Sequence, residues 1–147
     1  MDPRQFGALA ERLVSSGLEP RPARNRSAVS RAYYAGFLVA REFLRTMSIH
    51  IPKSKDAHMS VPTYLRYSND DDLKVAATTL ETLRGRRTKA DYDMQRREEE
   101  SDNVAQDAVD EAKEVISTLD GCSDPSRRTA IATSINANRT RASGGMA

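Results

Sequence analysis

NRSAVSRAYYAGFLVAREFL, residues 25 to 44, decides the architecture. Its apolar positions Val29, Ala32, Tyr33, Gly36, Phe37, Ala40, Phe43 and Leu44 continue to Met47 in steps of three and four. That is the period of one face of an α-helix, so the stretch predicts a long amphipathic helix, with Asn25 or Ser27 as its N-cap. Glycine inside a helix costs about 1 kcal/mol relative to alanine, so Gly36 on the stripe predicts the close approach of another helix backbone. Tyr33 falls on the buried face and Tyr34 at its margin, which suits core packing with a hydroxyl at the rim. Ser30 and Arg31 precede them, and either can face a cleft.

Working outward, Phe6, Leu9, Ala10, Leu13 and Val14 predict a first helix over Pro3 to Val14, ended by Gly17, Pro20 and Pro22. Ile51 to Ser60 reads as a connector, followed by a short helix from Val61 to Tyr67 with Pro62 in its first turn. Ser68 to Asp72 reads as a cap whose negative charge favours the N-terminus of the next helix, which carries Leu73, Ala76, Ala77, Leu80 and Leu83 on one face. A further helix starts near Ser101 and stops at Gly121. After Pro125 only Ala130, Ile131 and Ile135 hint at an apolar face, so a weak terminal helix running into a disordered tail is expected. The expectation is an all-α fold: an antiparallel up-and-down bundle of four to five helices over residues 1–122, then a basic, weakly helical or disordered tail over 123–147.

The 147 residues are 38% hydrophobic and 30% charged without tryptophan, which fits one helical domain better than a β-sandwich. No apolar run approaches the roughly 18 to 20 residues that cross a bilayer, and the N-terminus lacks a signal-peptide core. No membrane association and a cytoplasmic location are the expectation. Cys122 is the single cysteine, which excludes an intramolecular disulfide and a cysteine-built metal site. His50 and His58 are the only histidines, separated by a proline-broken loop without a carboxylate at helical spacing, so neither a metal nor another cofactor is expected. No Gly-x-Ser-x-Gly elbow is present to support triad chemistry.

The net charge of +2 is too small to imply a nucleic-acid partner; its distribution is more informative. LRGRRTKADYDMQRR, Leu83 to Arg97, holds Arg84, Arg86, Arg87, Lys89, Arg96 and Arg97 against Asp91 and Asp93. Cations in a last helical turn gain about 0.3–1 kcal/mol each from the helix dipole, which accounts for one or two of them. Such density repels itself unless an anion or acidic partner is present. Arginine predominates over lysine here, and its planar fork suits bidentate phosphate contacts. Counting on by four from Leu83 puts Arg87 in register with the buried stripe. A competing reading has these arginines pairing with Asp70 to Asp72 or Glu98 to Glu100 of a neighbouring subunit.

Two segments together resemble the HEPN family (higher eukaryotes and prokaryotes nucleotide-binding domain). Ser30 to Ala35, Ser-Arg-Ala-Tyr-Tyr-Ala, resembles the core of that family's second helix. Leu83 to Met94 resembles its other signature, an arginine at a helix end followed by a polar residue and an Ala-Asp-Tyr segment. The likeness runs from about Arg4 to Leu119. It implies an antiparallel helical bundle, often a homodimer. It also implies, for many members, metal-independent endoribonuclease activity in which the ribose 2′-hydroxyl attacks phosphorus, an arginine stabilises the phosphate charge and a nearby histidine moves a proton. Carried over, Arg87 takes the arginine position, Thr88 the polar position, and Tyr92 stands where the histidine would be. A phenol is a poor general base near neutral pH, so Asp91 or Asp93 is the expected base. Arg84, Arg86, Thr88, Lys89, Arg96 and Arg97 are expected to bind phosphate or nucleic acid. The functional expectation is a toxin-like or defence-associated endoribonuclease. The alternative is a non-catalytic binding module for nucleic acid, a nucleotide or a nucleotidyltransferase antitoxin, since such partners, and nucleotide modification of a tyrosine near this motif, occur among relatives.

Overall fold

In a computed structural model, which describes residues 1–53 and 56–144, the chain forms α1 (Arg4–Ser15), α2 (Arg21–Thr46), α3 (Ala57–Tyr67), α4 (Asp71–Tyr92), α5 (Asp102–Gly121) and α6 (Pro125–Gly144), with a 3₁₀ turn at Glu98–Glu100. No strand occurs among the described residues. Paired contacts at two heights give the directions. Gly7 faces Ala35 while Ser16, just past the end of α1, accepts from Arg24, so α1 and α2 are antiparallel. Arg26 reaches the carbonyl of Ala90 while Leu80 and Leu83 stand against Gly36, so α4 runs opposite to α2. Asn25 meets Asp102 and Gly36 meets Val115, so α5 runs with α2, and the Arg4–Asp120 and Glu11–Lys113 pairs set it against α1. The result is the expected up-and-down bundle.

α2 is the central element. Ala28, Val29, Ala32, Tyr33, Ala40 and Leu44 are buried against Leu73, Ala77, Leu80 and Leu83 of α4 and Ala105, Ala108, Val109 and Val115 of α5. The many alanines and one glycine let the axes draw close. A Cβ on Gly36 would stand 3.2 Å from Leu80 Cδ2. The close approach read from the sequence is therefore real, but it is made by a leucine side chain rather than by a backbone.

Three element boundaries differ from the expectation. α2 begins at Arg21, with Pro22 in its first turn, where a missing N–H is no loss. Asn25 and Ser27 are thus interior residues and not caps. α3 begins at Ala57, so the second half of the connector is helical and Pro62 lies inside the helix, buried against the core; residues 54 and 55 lie outside the described residues. α6 is helical from Pro125 to Gly144, with Ile131 and Ile135 fully covered and Arg127 tied to Asp70 and Asp72. Residues 145–147 of the expected tail lie outside the described residues. Within the run read as a cap, Asp70 accepts from the Leu73 N–H at 3.2 Å, and Ser101, where the next helix was expected to start, accepts from the Val104 N–H at 3.1 Å. Asn69, at φ 56°, makes the left-handed step between α3 and α4 that asparagine tolerates.

Candidate functional site

The site is positioned by a polar knot in the first turns of α2. Arg26, almost fully buried, donates to the carbonyls of Lys89 (3.1 Å), Ala90 (2.9 Å), Asp93 (3.2 Å) and Arg96, and pairs with Glu100 at 3.0 Å. A helix leaves its last carbonyls without internal partners. At the end of α4 a guanidinium from another helix satisfies them, and the arginines of the basic cluster do not. Asn25 donates to Asp102 (2.7 Å) and the Glu100 carbonyl (2.8 Å), while Arg24 bridges the Ser16 carbonyl and Asp102. The knot locks the end of α4 to α1, α2 and α5.

One turn back from that lock, Arg87 projects over α2. It donates to the Tyr34 hydroxyl at 2.8 Å, its Nε lies 3.6 Å from Asp91 Oδ2, and its guanidinium sits 5.2–5.8 Å from the ring centroids of Tyr33, Tyr34 and Tyr92. The side chain is 13% exposed, and Nε has no hydrogen-bond partner. Asp91 also accepts from Ser30 Oγ at 3.2 Å. Tyr92 is 74% exposed, its ring forming an open rim beside the guanidinium. Arg87, Asp91 and Tyr92 therefore converge, joined by Tyr34 and Ser30, which the sequence marked only as marginal or cleft-facing positions.

Beside this group a cleft of about 540 Å³ opens between α3 and α4, lined by His58, Pro62, Arg84, Thr88 and Lys89 among others. Arg84 and Lys89 make no ion pair among the described residues. His58 was set aside in the sequence, yet its Nδ1 lies 2.6 Å from the Tyr33 hydroxyl and its ring stacks on Phe37 at 4.5 Å. Burial and the nearby Arg87, Arg84 and Arg41 cations hold His58 below the ordinary histidine range, so it is uncharged near neutral pH. Burial pushes the Tyr33 phenol up to about 12, so it keeps its proton.

The rest of the basic stretch is directed elsewhere. Arg86 turns to α5 and pairs with Glu111 at 3.1 Å. Arg96 lies near Asp93 (3.7 Å) and Glu98 (4.0 Å), and Arg97 is exposed ahead of the 3₁₀ turn. Asp93, beside Arg96, is not drawn to Arg87. Asp70 and Asp72 pair with Arg127 and Glu100 with Arg26, all within one chain. His50 lines a separate depression with Arg41, Arg45 and Lys53. Among the described residues no group of three or more His, Cys, Asp or Glu could hold a metal ion, and no helix is long and apolar enough to cross a membrane.

No family model and no solved structure matches the chain. It is 30% identical over 105 residues to the uncharacterized protein MJ0992 of Methanocaldococcus jannaschii, a match covering 61% of this chain and 59% of that relative. The chain thus spans little more than half the length of the relative it matches.

Proposed function

We propose that the protein is a HEPN-type, metal-independent endoribonuclease acting on single-stranded RNA. The observation that supports this most directly is the Arg87 guanidinium, steadied by Tyr34 and 3.6 Å from Asp91, at the edge of a cleft whose Arg84 and Lys89 make no ion pair among the described residues. In this reading Arg84 and Lys89 hold the RNA backbone. Arg87 donates to the phosphate oxygens on which charge gathers as the ribose 2′-hydroxyl attacks phosphorus, Asp91 accepts the 2′-hydroxyl proton, and the P–O5′ bond breaks to leave a 2′,3′-cyclic phosphate and a 5′-hydroxyl whose proton comes from water. Tyr92, exposed at the rim, offers its ring to a nucleobase, since base stacking on aromatic side chains is tolerant of sequence. The resemblance further points to a second copy of the chain as partner and to a toxin or defence role.

The test is cleavage of a labelled single-stranded RNA with chelator present. Wild type gives products ending in 2′,3′-cyclic phosphate, and Arg87→Ala and Asp91→Asn give none at matched concentration. RNA left intact by the wild type overturns the proposal. A second reading, a binding module without chemistry, is favoured by the solvent-facing tyrosine at the motif's histidine position. It expects a salt-sensitive RNA affinity that survives Tyr92→Phe, falls with Arg87→Ala, and is accompanied by no cleavage.

A further inference from the structure

The aromatic group under the cleft fixes more than packing. Tyr33 is 1% exposed, and the only hydrogen-bond partner of its hydroxyl among the described residues is Nδ1 of His58, at 2.6 Å. A buried hydroxyl proton without an acceptor is costly. Were Nδ1 protonated, the Tyr33 proton would have nowhere to go. The phenol therefore donates, Nδ1 accepts, and the single proton of a neutral imidazole resides on Nε2. Nε2 has no hydrogen-bond partner among the described residues and is not among the buried unpaired atoms, while His58 lines the cleft that Arg84, Thr88 and Lys89 share. Stacking on Phe37 and the bond to Tyr33 hold the ring in this orientation.

We propose that His58 is a phosphate-contacting residue of this cleft, a neutral imidazole that Tyr33 locks with its Nε2–H presented to a non-bridging oxygen of a bound phosphodiester. The proposal rests on the reading that the cleft takes RNA. It supplies a histidine from α3, where the motif on α4 has a tyrosine, but in a different role: Nε2 already carries a proton and cannot accept the one from the 2′-hydroxyl. That leaves Asp91 for the proton and gives His58 a fixed donor, of the kind that stabilises growing negative charge without transferring a proton. The charged and titratable groups around the ring are Tyr33, Tyr34 and Arg41 from α2 and Arg84 and Arg87 from α4. The cations disfavour the imidazolium and leave the neutral donor in place at neutral pH.

The test is nitrogen-15 NMR of the histidine side chains in the full chain, free and with a single-stranded oligonucleotide whose 2′-hydroxyls are replaced by hydrogen. Such a probe binds without being cut, so the result is independent of cleavage. The expected spectrum shows His58 as the Nε2–H tautomer in both states, with its Nε2–H proton moving on binding. Tyr33→Phe mixes the two tautomers. His58→Ala lowers affinity about tenfold, the loss of one hydrogen bond to a charged group, and His58→Gln, which keeps an amide N–H at similar reach, recovers most of it. An Nδ1–H tautomer in the wild type overturns the proposal. So does an Nε2–H signal that stays still while the backbone amides of Arg84 and Lys89 shift. An oligonucleotide that moves neither set overturns this proposal together with the RNA reading, whereas a shifted Nε2–H in a protein that leaves RNA uncut removes the nuclease and keeps His58.

Discussion

The chain handles its arginines in two opposite ways within one helix length. In the knot, Arg24 and Arg26 are buried, and their donors meet carbonyls, Asn25, Asp102 and Glu100. In the cleft, Arg84 and Lys89 make no ion pair among the described residues, and Arg87 keeps a buried Nε with Asp91 3.6 Å away and no hydrogen bond. Desolvating a charge is tolerable only when its partners are supplied in place, and the knot supplies them. The cleft holds Arg84 half-buried and Lys89 exposed without such closure, which favours an incoming anion. Arg86 and Arg87 diverge in adjacent residues: about 100° apart around the helix, one pairs with Glu111 of α5 and the other lies among tyrosines with Asp91 3.6 Å from its Nε.

The largest effect that tests this contrast is on the knot side. Arg26→Ala leaves the carbonyls at the end of α4 and the Glu100 carboxylate without their donor. Breaking a buried pair costs about 3–5 kcal/mol, and urea unfolding is expected to show a loss of that order. A loss below about 1 kcal/mol would mean that water replaces the guanidinium and that the knot does not hold α4. Arg87→Ala is the opposite case. It removes one hydrogen bond, a 3.6 Å ion pair with Asp91 within the same helix, and cation–π contacts of about 0.5–2 kcal/mol each, so the melting curve shifts less than for Arg26→Ala while RNA cleavage falls at least ~100-fold, as for loss of a donor to the reacting phosphate. If Arg87→Ala unfolds the protein as readily as Arg26→Ala does, the two regions are not different in kind. A smaller effect is expected from Arg84→Gln. This cation makes no ion pair among the described residues, so stability changes little, while RNA affinity drops and the slope of log affinity against log salt shrinks by about one. An unchanged slope would place the RNA elsewhere.

How much of this could be read in the sequence follows the same division. The stripes on α2, α4 and α5 announced themselves because apolar side chains repeat at the helical period, and the cap in the Ser68 to Asp72 run because its chemistry is local. Arg87 was legible because it breaks a stripe. Arg24, Asn25 and Arg26 were not, since three consecutive buried polar residues fit no period and find their partners more than seventy residues away in Glu100 and Asp102. His58 was dismissed for lacking a partner nearby in sequence; its partner, Tyr33, lies on a different helix. Arg86, Arg96 and Arg97 were grouped with Arg87 by proximity along the chain, and the helix directs Arg86 to another face. Periodic and nearest-neighbour physics is visible in one dimension, and pairing across helices is not.

The smallest effect separates the two regions by pH. His58 titrates below the ordinary histidine value of 6.5 because burial, and then Arg87, Arg84 and Arg41, oppose its charge. A lowered native value means that the unfolded chain binds the proton first as pH falls. The stability linked to neutral His58 is therefore complete above about 6.5 and is lost as pH drops through the native value. Asp70 is also lowered, by its hydrogen bonds from Arg127, and Glu81 by those from Arg66, but carboxylates lose their contribution in a more acid range, below about 4. Between roughly pH 6.5 and 5 the slope of stability against pH belongs to the cleft and not to the ion pairs. Unfolding measured across that interval should show a decline in wild type that His58→Gln flattens, because the amide does not titrate. An equal decline in both proteins would mean that His58 is as free to take a proton in the native bundle as in the unfolded chain, and that the cations of the cleft are screened from it by water.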